Sequence, residues 1–178
     1  MVRYRRNRVQ GGTYFFTVTL ADRRSTALID HLDTLRAAFR QARQERPFTI
    51  DAIVILPDHL HAILTLPQQD TDFPGRWRRI KGLFSSCLIA AGESIERHAN
   101  GDLALWQRRY WEHTIHDDSD FERHVDYTHF NPVKHGLVTQ VRDWPHSSFH
   151  LYVRQGMLPV DWAGDINEDD RGYGERHE

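Results

Sequence analysis

The chain is poor in several things, and each shortage removes a class of protein. It has one cysteine in 178 residues, Cys87, so no internal disulfide can form and a reducing, cytoplasmic setting is expected. It has no apolar run long enough to span a bilayer, because charge or proline interrupts every such stretch within about ten residues. The opening segment is basic but lacks the apolar stretch of a secretory signal, so export is not expected. There is no internal repeat and no low-complexity block ahead of the last residues. Nor is there a strong net charge: 23 basic and 25 acidic side chains leave −2 with histidines neutral. What remains is an ordinary globular composition, 39% hydrophobic and 27% charged, and a length that suits one compact domain better than two.

The weak net charge hides an uneven distribution. Residues 151–178 hold three basic and seven acidic side chains, leaving 20 basic and 18 acidic of the chain's 23 and 25 in residues 1–150. Within that body Arg3, Arg5, Arg6 and Arg8 form one basic cluster, and Arg76, Arg78, Arg79 and Lys81 another. Clusters of this kind suit phosphate contact, although short basic runs are commonly plain solvated surface. The acidic end could shield such a surface by competing for it.

Periodicity supplies the elements. Gly11 and Gly12 mark a turn, and the β-branched and aromatic run 13–20 predicts a strand. Leu32, Leu35, Ala38, Phe39 and Ala42 recur at helical spacing across 30–45, and Pro47 closes that helix. Segments 48–56 and 59–66 predict two strands joined at Pro57 and Asp58 as a hairpin. Trp77, Ile80, Phe84 and Leu88 predict a helix over 73–91, followed by a polar loop to Gly101 and a short strand or irregular piece within 103–115. Ser119 and Glu122 fit a capping box that starts a last helix, with Pro132 expected to kink or end it and Gly136 to stop it. The order points to one antiparallel-containing sheet with helices packed against it.

Two constellations carry chemistry. On a strand, His59 and His61 project from one face while Leu60 enters the other, so two imidazoles stand side by side. Neutral imidazole is a common ligand for divalent metals, and a third group would complete the site. Twelve histidines also make close pairs by chance. In the last helix, Tyr127 and Asn131 are one turn apart on one face and His124 is a turn before them, while Phe121, Val125 and Thr128 offer a different side for packing on the sheet. A tyrosine there could equally be a half-buried hydroxyl bonded to its surroundings. As a nucleophile it needs a cation or base nearby, since an unperturbed phenol has a pKa of about 10.

Together, LPDHLHAIL (56–64) and HVDYTHFNPVKHGLV (124–138) resemble the HUH single-tyrosine transposases, and most closely the REP-associated tyrosine transposases. YRRNRVQGGTYFFTV (4–18), RYWEHTI (109–115) and DWPHSSFHLYVRQGMLPVDWAGD (143–165) extend the similarity in the same order along the chain. The resemblance implies an α+β fold: a single HUH-type (ferredoxin-like or RRM-like) domain over 1–153, with helices on one side of the sheet and the histidine pair on a central strand. An acidic, regulatory tail over 154–178 would follow. It further implies that His59 and His61 are metal ligands with Asn131 as the third, that the ion is Mg²⁺ or Mn²⁺, and that Tyr127 attacks single-stranded DNA to leave a 5′-phosphotyrosine. The wider family often has glutamine where Asn131 stands. The expected substrate is a hairpin of a palindromic repeat with a guide sequence at its foot, handled by a cytoplasmic, nucleoid-associated protein that is a monomer as in the REP-associated group, with the dimer of the wider family as the alternative. Arg5, Arg6, Arg8, Arg78, Arg79 and Lys81 are candidate DNA contacts. A related protein that binds hairpins without turning them over is the alternative.

Overall fold

A computed structural model of the chain describes residues 7–99, 101 and 103–164. Four strands form one antiparallel sheet: β1 (Thr13–Thr19), β2 (Thr49–Ile55), β3 (His59–Thr65) and β4 (Trp111–Thr114), in the order β2-β3-β1-β4. The hairpin expected from Pro57 and Asp58 is β2-β3, so β3 sits inside the sheet with a partner on each side. One register shift, between Ile50 and Ala52, places a bulge at Asp51.

Because successive side chains alternate across a strand, β1 and β3 serve two different layers. Tyr14, Phe16, Val18, Leu60, Ala62 and Leu64 pack into the main core. There they meet α1 (Ala27–Asp30), α2 (Leu32–Glu45) and α3 (Phe73–Ala90) through Leu28, Leu35, Phe39, Trp77, Ile80 and Phe84. The helix expected over 30–45 is α2, and the short α1 ahead of it, set off at His31, was not expected. Asp72 caps α3 by accepting from the Gly75 amide at 2.9 Å, with Pro74 in the first turn, where a missing N–H costs little.

Helices are not confined to one side. On the opposite face Phe15, Ala52 and Ile63 pack against Val125 and Tyr127 of α4 (Asp118–Lys134). Two features of α4 depart from expectation. Its cap is Asp117, whose carboxylate accepts from the Asp120 amide at 2.8 Å, so Ser119 lies inside the first turn instead of starting it. It also runs through Pro132. The ring removes one hydrogen bond, but the ladder resumes with the His135 amide on the Asn131 carbonyl at 3.0 Å. Gly136, at φ 67°, then ends it as expected.

After α4 a single 3₁₀ turn (Val141–Asp143) leads to α5 (Phe149–Arg154). Between them the chain runs along the outer edge of β2: the Ile55 amide bonds to the His146 carbonyl at 2.9 Å and the Ser148 amide to the Ile53 carbonyl at 2.8 Å. Beyond α5, Trp162 lies 6.1 Å from Phe149 between ring centres. Among the described residues no helix is long and apolar enough to cross a membrane.

Candidate active site

The histidine strand and the tyrosine helix meet. His59 and His61 are buried on the α4 face of β3, their ring centres 5.1 Å apart, and the Tyr127 ring is 5.3 Å from His61. Asn131, one turn beyond Tyr127, is buried on the same side of α4. The helix therefore turns toward the sheet not only Val125 and Thr128, as the sequence suggested, but also His124, Tyr127 and Asn131, which the sequence had set on a different side. The reason lies in the sheet. This face of it carries Thr17, Thr19, His59 and His61 beside Phe15 and Ile63, so a polar helix face meets a partly polar sheet face.

Each imidazole is backed by a partner, His59 by its sequence neighbour and His61 by a residue that no local pattern reveals. Thr17 is the cross-strand neighbour of His61, and its Oγ1 lies 2.9 Å from the His61 Nδ1. Asp58 holds the His59 Nδ1 at 2.8 Å and its other oxygen pairs with the Arg23 Nε at 2.7 Å. Burial pushes the Asp58 carboxyl up, but the hydrogen bond to His59 and the charges of His59 and Arg23 outweigh it and hold the group below the usual carboxylate range. A ring gripped through Nδ1 presents Nε2 to a ligand in a fixed orientation, which is the usual outer-sphere arrangement of a metal-binding histidine. Phe15 stacks on His61 at 5.4 Å and meets Tyr127 edge-on at 5.9 Å, filling the floor between them.

Tyr127 has a cation beside its hydroxyl. Lys134, two helical turns on, donates from Nζ to the Tyr127 Oη at 2.9 Å, and its ammonium sits 4.5 Å from the ring centre. Sequence reasoning missed it because the helix was expected to kink or end at Pro132; with α4 continued through the proline, a spacing of seven puts both residues on one face. His135 also approaches, its ring 5.0 Å from His59.

A second group of potential ligands lies on the other flank of Phe15. His113, Asp120 and His124 bring their ligand atoms within 4.8 Å of one another. Much of that group is already engaged: the His113 Nε2 is 2.8 Å from Asp120 and the His124 Nδ1 is 2.7 Å from the Asp120 carbonyl. Burial lowers the His124 pKa, partly offset by Asp120. Nδ1 bound to a main-chain carbonyl carries the proton and leaves Nε2 as the ligating atom of His124, so what makes this trio a hydrogen-bonded brace is the pairing of the His113 Nε2 with the Asp120 carboxylate.

The candidate DNA contacts are scattered. Arg5 and Arg6 lie outside the described residues, as does the acidic stretch from 165 onward, and Arg8 is exposed. Arg78 and Lys81 line one cavity of about 910 Å³ with Arg108 and Trp106. Burial brings the Lys81 pKa down to about 8, with Nζ bonded to the Gln107 carbonyl at 2.9 Å. Arg79 is held by Glu45 through two bonds of 2.7 Å. Arg76, from the same basic cluster, is buried and bonded to Asp70 and the Pro47 carbonyl, a structural use.

Comparison with known proteins places these features. The family described as "Transposase IS200 like" matches residues 9–130. The chain is 47% identical over 172 residues to a REP-associated tyrosine transposase of Escherichia coli (strain K12), covering 97% of each. It is 42% identical over 166 residues to a putative REP-associated tyrosine transposase of Haemophilus influenzae, covering 92% of this chain and 94% of that one. A solved structure of a REP-associated tyrosine transposase bound to a REP hairpin superposes with a TM-score of 0.87 at 47% identity, over 100% of this chain and 99% of the other. The chain belongs to the IS200-like transposases and, within them, to the REP-associated tyrosine transposases.

Proposed function

We propose that the protein is a metal-dependent endonuclease and strand-transferase that acts on single-stranded DNA at the foot of a palindromic-repeat hairpin, with Tyr127 as nucleophile. The observation that carries this is the convergence of His61, Tyr127 and Lys134 from a strand and a helix of one chain. The relative seen with a REP hairpin supports the substrate class. In the reaction the Tyr127 oxygen bonds to phosphorus, the bond from phosphorus to the 3′ oxygen breaks, and that oxygen takes a proton to leave a free 3′-hydroxyl. The phosphate stays on Tyr127 as a 5′-phosphotyrosine, and attack by a 3′-hydroxyl reverses the step or joins a new strand. Lys134 stabilises charge on the tyrosine oxygen in both directions.

The donor set fits a divalent cation: His59 and His61, each oriented through Nδ1, with the Asn131 amide oxygen as third ligand. Mg²⁺ or Mn²⁺ bound there supplies Lewis-acid polarisation of the phosphate under attack. Incubating a hairpin oligonucleotide bearing single-stranded flanks with protein and Mn²⁺ tests the activity. A covalent protein–DNA adduct is expected with wild type and none with Tyr127→Phe or His59→Ala. Equal adduct from Tyr127→Phe would refute the assigned nucleophile. Hairpin binding with no adduct from wild type would favour the non-catalytic binding protein.

A further inference from the structure

A second basic surface lies away from the tyrosine. Arg36, Arg40 and Arg43 are spaced four and three apart on α2, so their guanidinium groups share one exposed helix face. Arg142 and Arg154 face them from the chain between α4 and the end of α5. The five arginines line a groove of about 780 Å³ whose walls also include Phe39, Ile50, Ile53 and Ile55. The one acidic side chain lining it is Asp143. Arg36 makes a loose pair with Asp33 at 3.4 Å, and among the described residues Arg40, Arg43, Arg142 and Arg154 make no ion pair. Arginines on a single helix face are commonly just solvated. Here they come from two distant parts of the chain and line the two sides of one concavity, in a protein whose net charge is −2. That arrangement concentrates positive potential where a polyanion fits.

The groove also adjoins the active site in a definite way. Val54 of β2 pairs with His61 on one side and bridges to Ser147 on the other. With strands about 4.8 Å apart, the segment lining the groove is roughly 10 Å from the histidine strand. A single DNA molecule can reach both by passing round the edge of the sheet. Along α2 the three arginines span roughly 10 Å, the axial length of about three phosphates of one B-form strand.

We propose that this groove is a DNA-contact surface that holds backbone phosphates of the hairpin substrate outside the phosphodiester being cut; it presumes the DNA substrate proposed above. Contacts of this kind fix register and orientation and carry no sequence information. They therefore weaken uniformly across sequences when removed.

The test measures binding of a fluorescein-labelled hairpin oligonucleotide from about 50 to 200 mM KCl, a range over which phosphate contacts dominate the salt response. Two variants are compared with wild type, Arg40→Gln/Arg43→Gln and Arg142→Gln/Arg154→Gln, each checked for an unchanged thermal midpoint. Removing two phosphate contacts is expected to flatten the slope of log K against log salt by about 1.8 for duplex phosphates or about 1.4 for single-stranded ones, and to weaken binding roughly ten- to thirtyfold at 0.15 M. The size of the slope change thus tells which part of the hairpin lies in the groove. Unchanged slope and affinity in either folded variant overturns the two-sided groove. A wild type that binds no hairpin overturns both this proposal and the substrate reading. A salt slope that flattens while wild type forms no covalent adduct keeps the groove and sinks only the Tyr127 chemistry.

Discussion

Replacing Lys134 by methionine removes the ammonium but keeps an unbranched side chain of similar length. At 2.9 Å from the Tyr127 oxygen, in partly buried surroundings with an effective dielectric of about 20, a full unit of negative charge there gains about 6 kcal/mol. If half a charge has developed at the transition state, about 3 kcal/mol is lost in the variant, which is roughly a hundredfold in rate. The assay is single-turnover formation of the covalent adduct with saturating protein and Mn²⁺, followed from pH 6 to 9. Lys134→Met should be about a hundredfold slower at neutral pH and should recover part of the deficit as pH rises and the phenol ionises unaided. Lys134→Arg should keep most of the rate. Hairpin affinity and thermal midpoint should hardly move, which separates this role from a structural one. An adduct rate for Lys134→Met within threefold of wild type across the whole pH range would refute it.

Thr17→Val keeps shape while deleting the hydroxyl on the His61 Nδ1, and Mn²⁺ affinity by titration calorimetry should fall 10- to 100-fold. Mn²⁺ binding should be lost in His59→Ala and persist in His113→Ala; the opposite pattern would move the metal to the His113, Asp120 and His124 group. Lys81 has its pKa lowered to about 8 by burial, so between that value and an unfolded value of about 10.4 the unfolded chain binds more protons and stability rises with pH. Urea unfolding should show wild type gaining about 1 kcal/mol or more on Lys81→Met between pH 8 and 9.5, after allowance for partial exposure, and a flat difference would contradict the buried ammonium. Phe15→Ala should cost about 3–5 kcal/mol, because the ring fills the space between His61, His124 and Tyr127, and metal affinity should drop with it.

How far the sequence went depended on whether a feature is local. Period-two and period-3.6 patterns are local, so the strands, the β2-β3 hairpin and helices α2 to α4 were legible, and His59 with His61 on one strand face followed at once. That the polar side of α4 meets the sheet along with Val125 and Thr128 was not legible, because it depends on the polarity of Thr17, Thr19 and the histidines across the interface. Thr17 as the backing of His61 depends on the register between β1 and β3, a pairing of residues far apart in sequence. Lys134 was within reach, since Tyr127 and Lys134 share a helical face once a single proline is recognised as costing one hydrogen bond and no more. The arginines of α2 were also visible at spacings of four and three, but nothing in one sequence says that Arg142 and Arg154 lie opposite them.

The segment that runs beside β2 has a consequence for the order of assembly. His129 on α4 bonds to the Ser148 hydroxyl at 3.0 Å, and that hydroxyl accepts the Ile53 amide at 2.9 Å. This later-made segment thus stitches the tyrosine helix to the strand next to the histidines. A nascent chain that has emerged only as far as Lys134 holds every group assigned to the reaction yet has β2 with its outer amides bare and α4 without its stitch. Such an edge invites pairing with other chains before the enzyme is complete. The helix that carries the proposed nucleophile is therefore tied to the sheet only once the chain past Ser148 has been made.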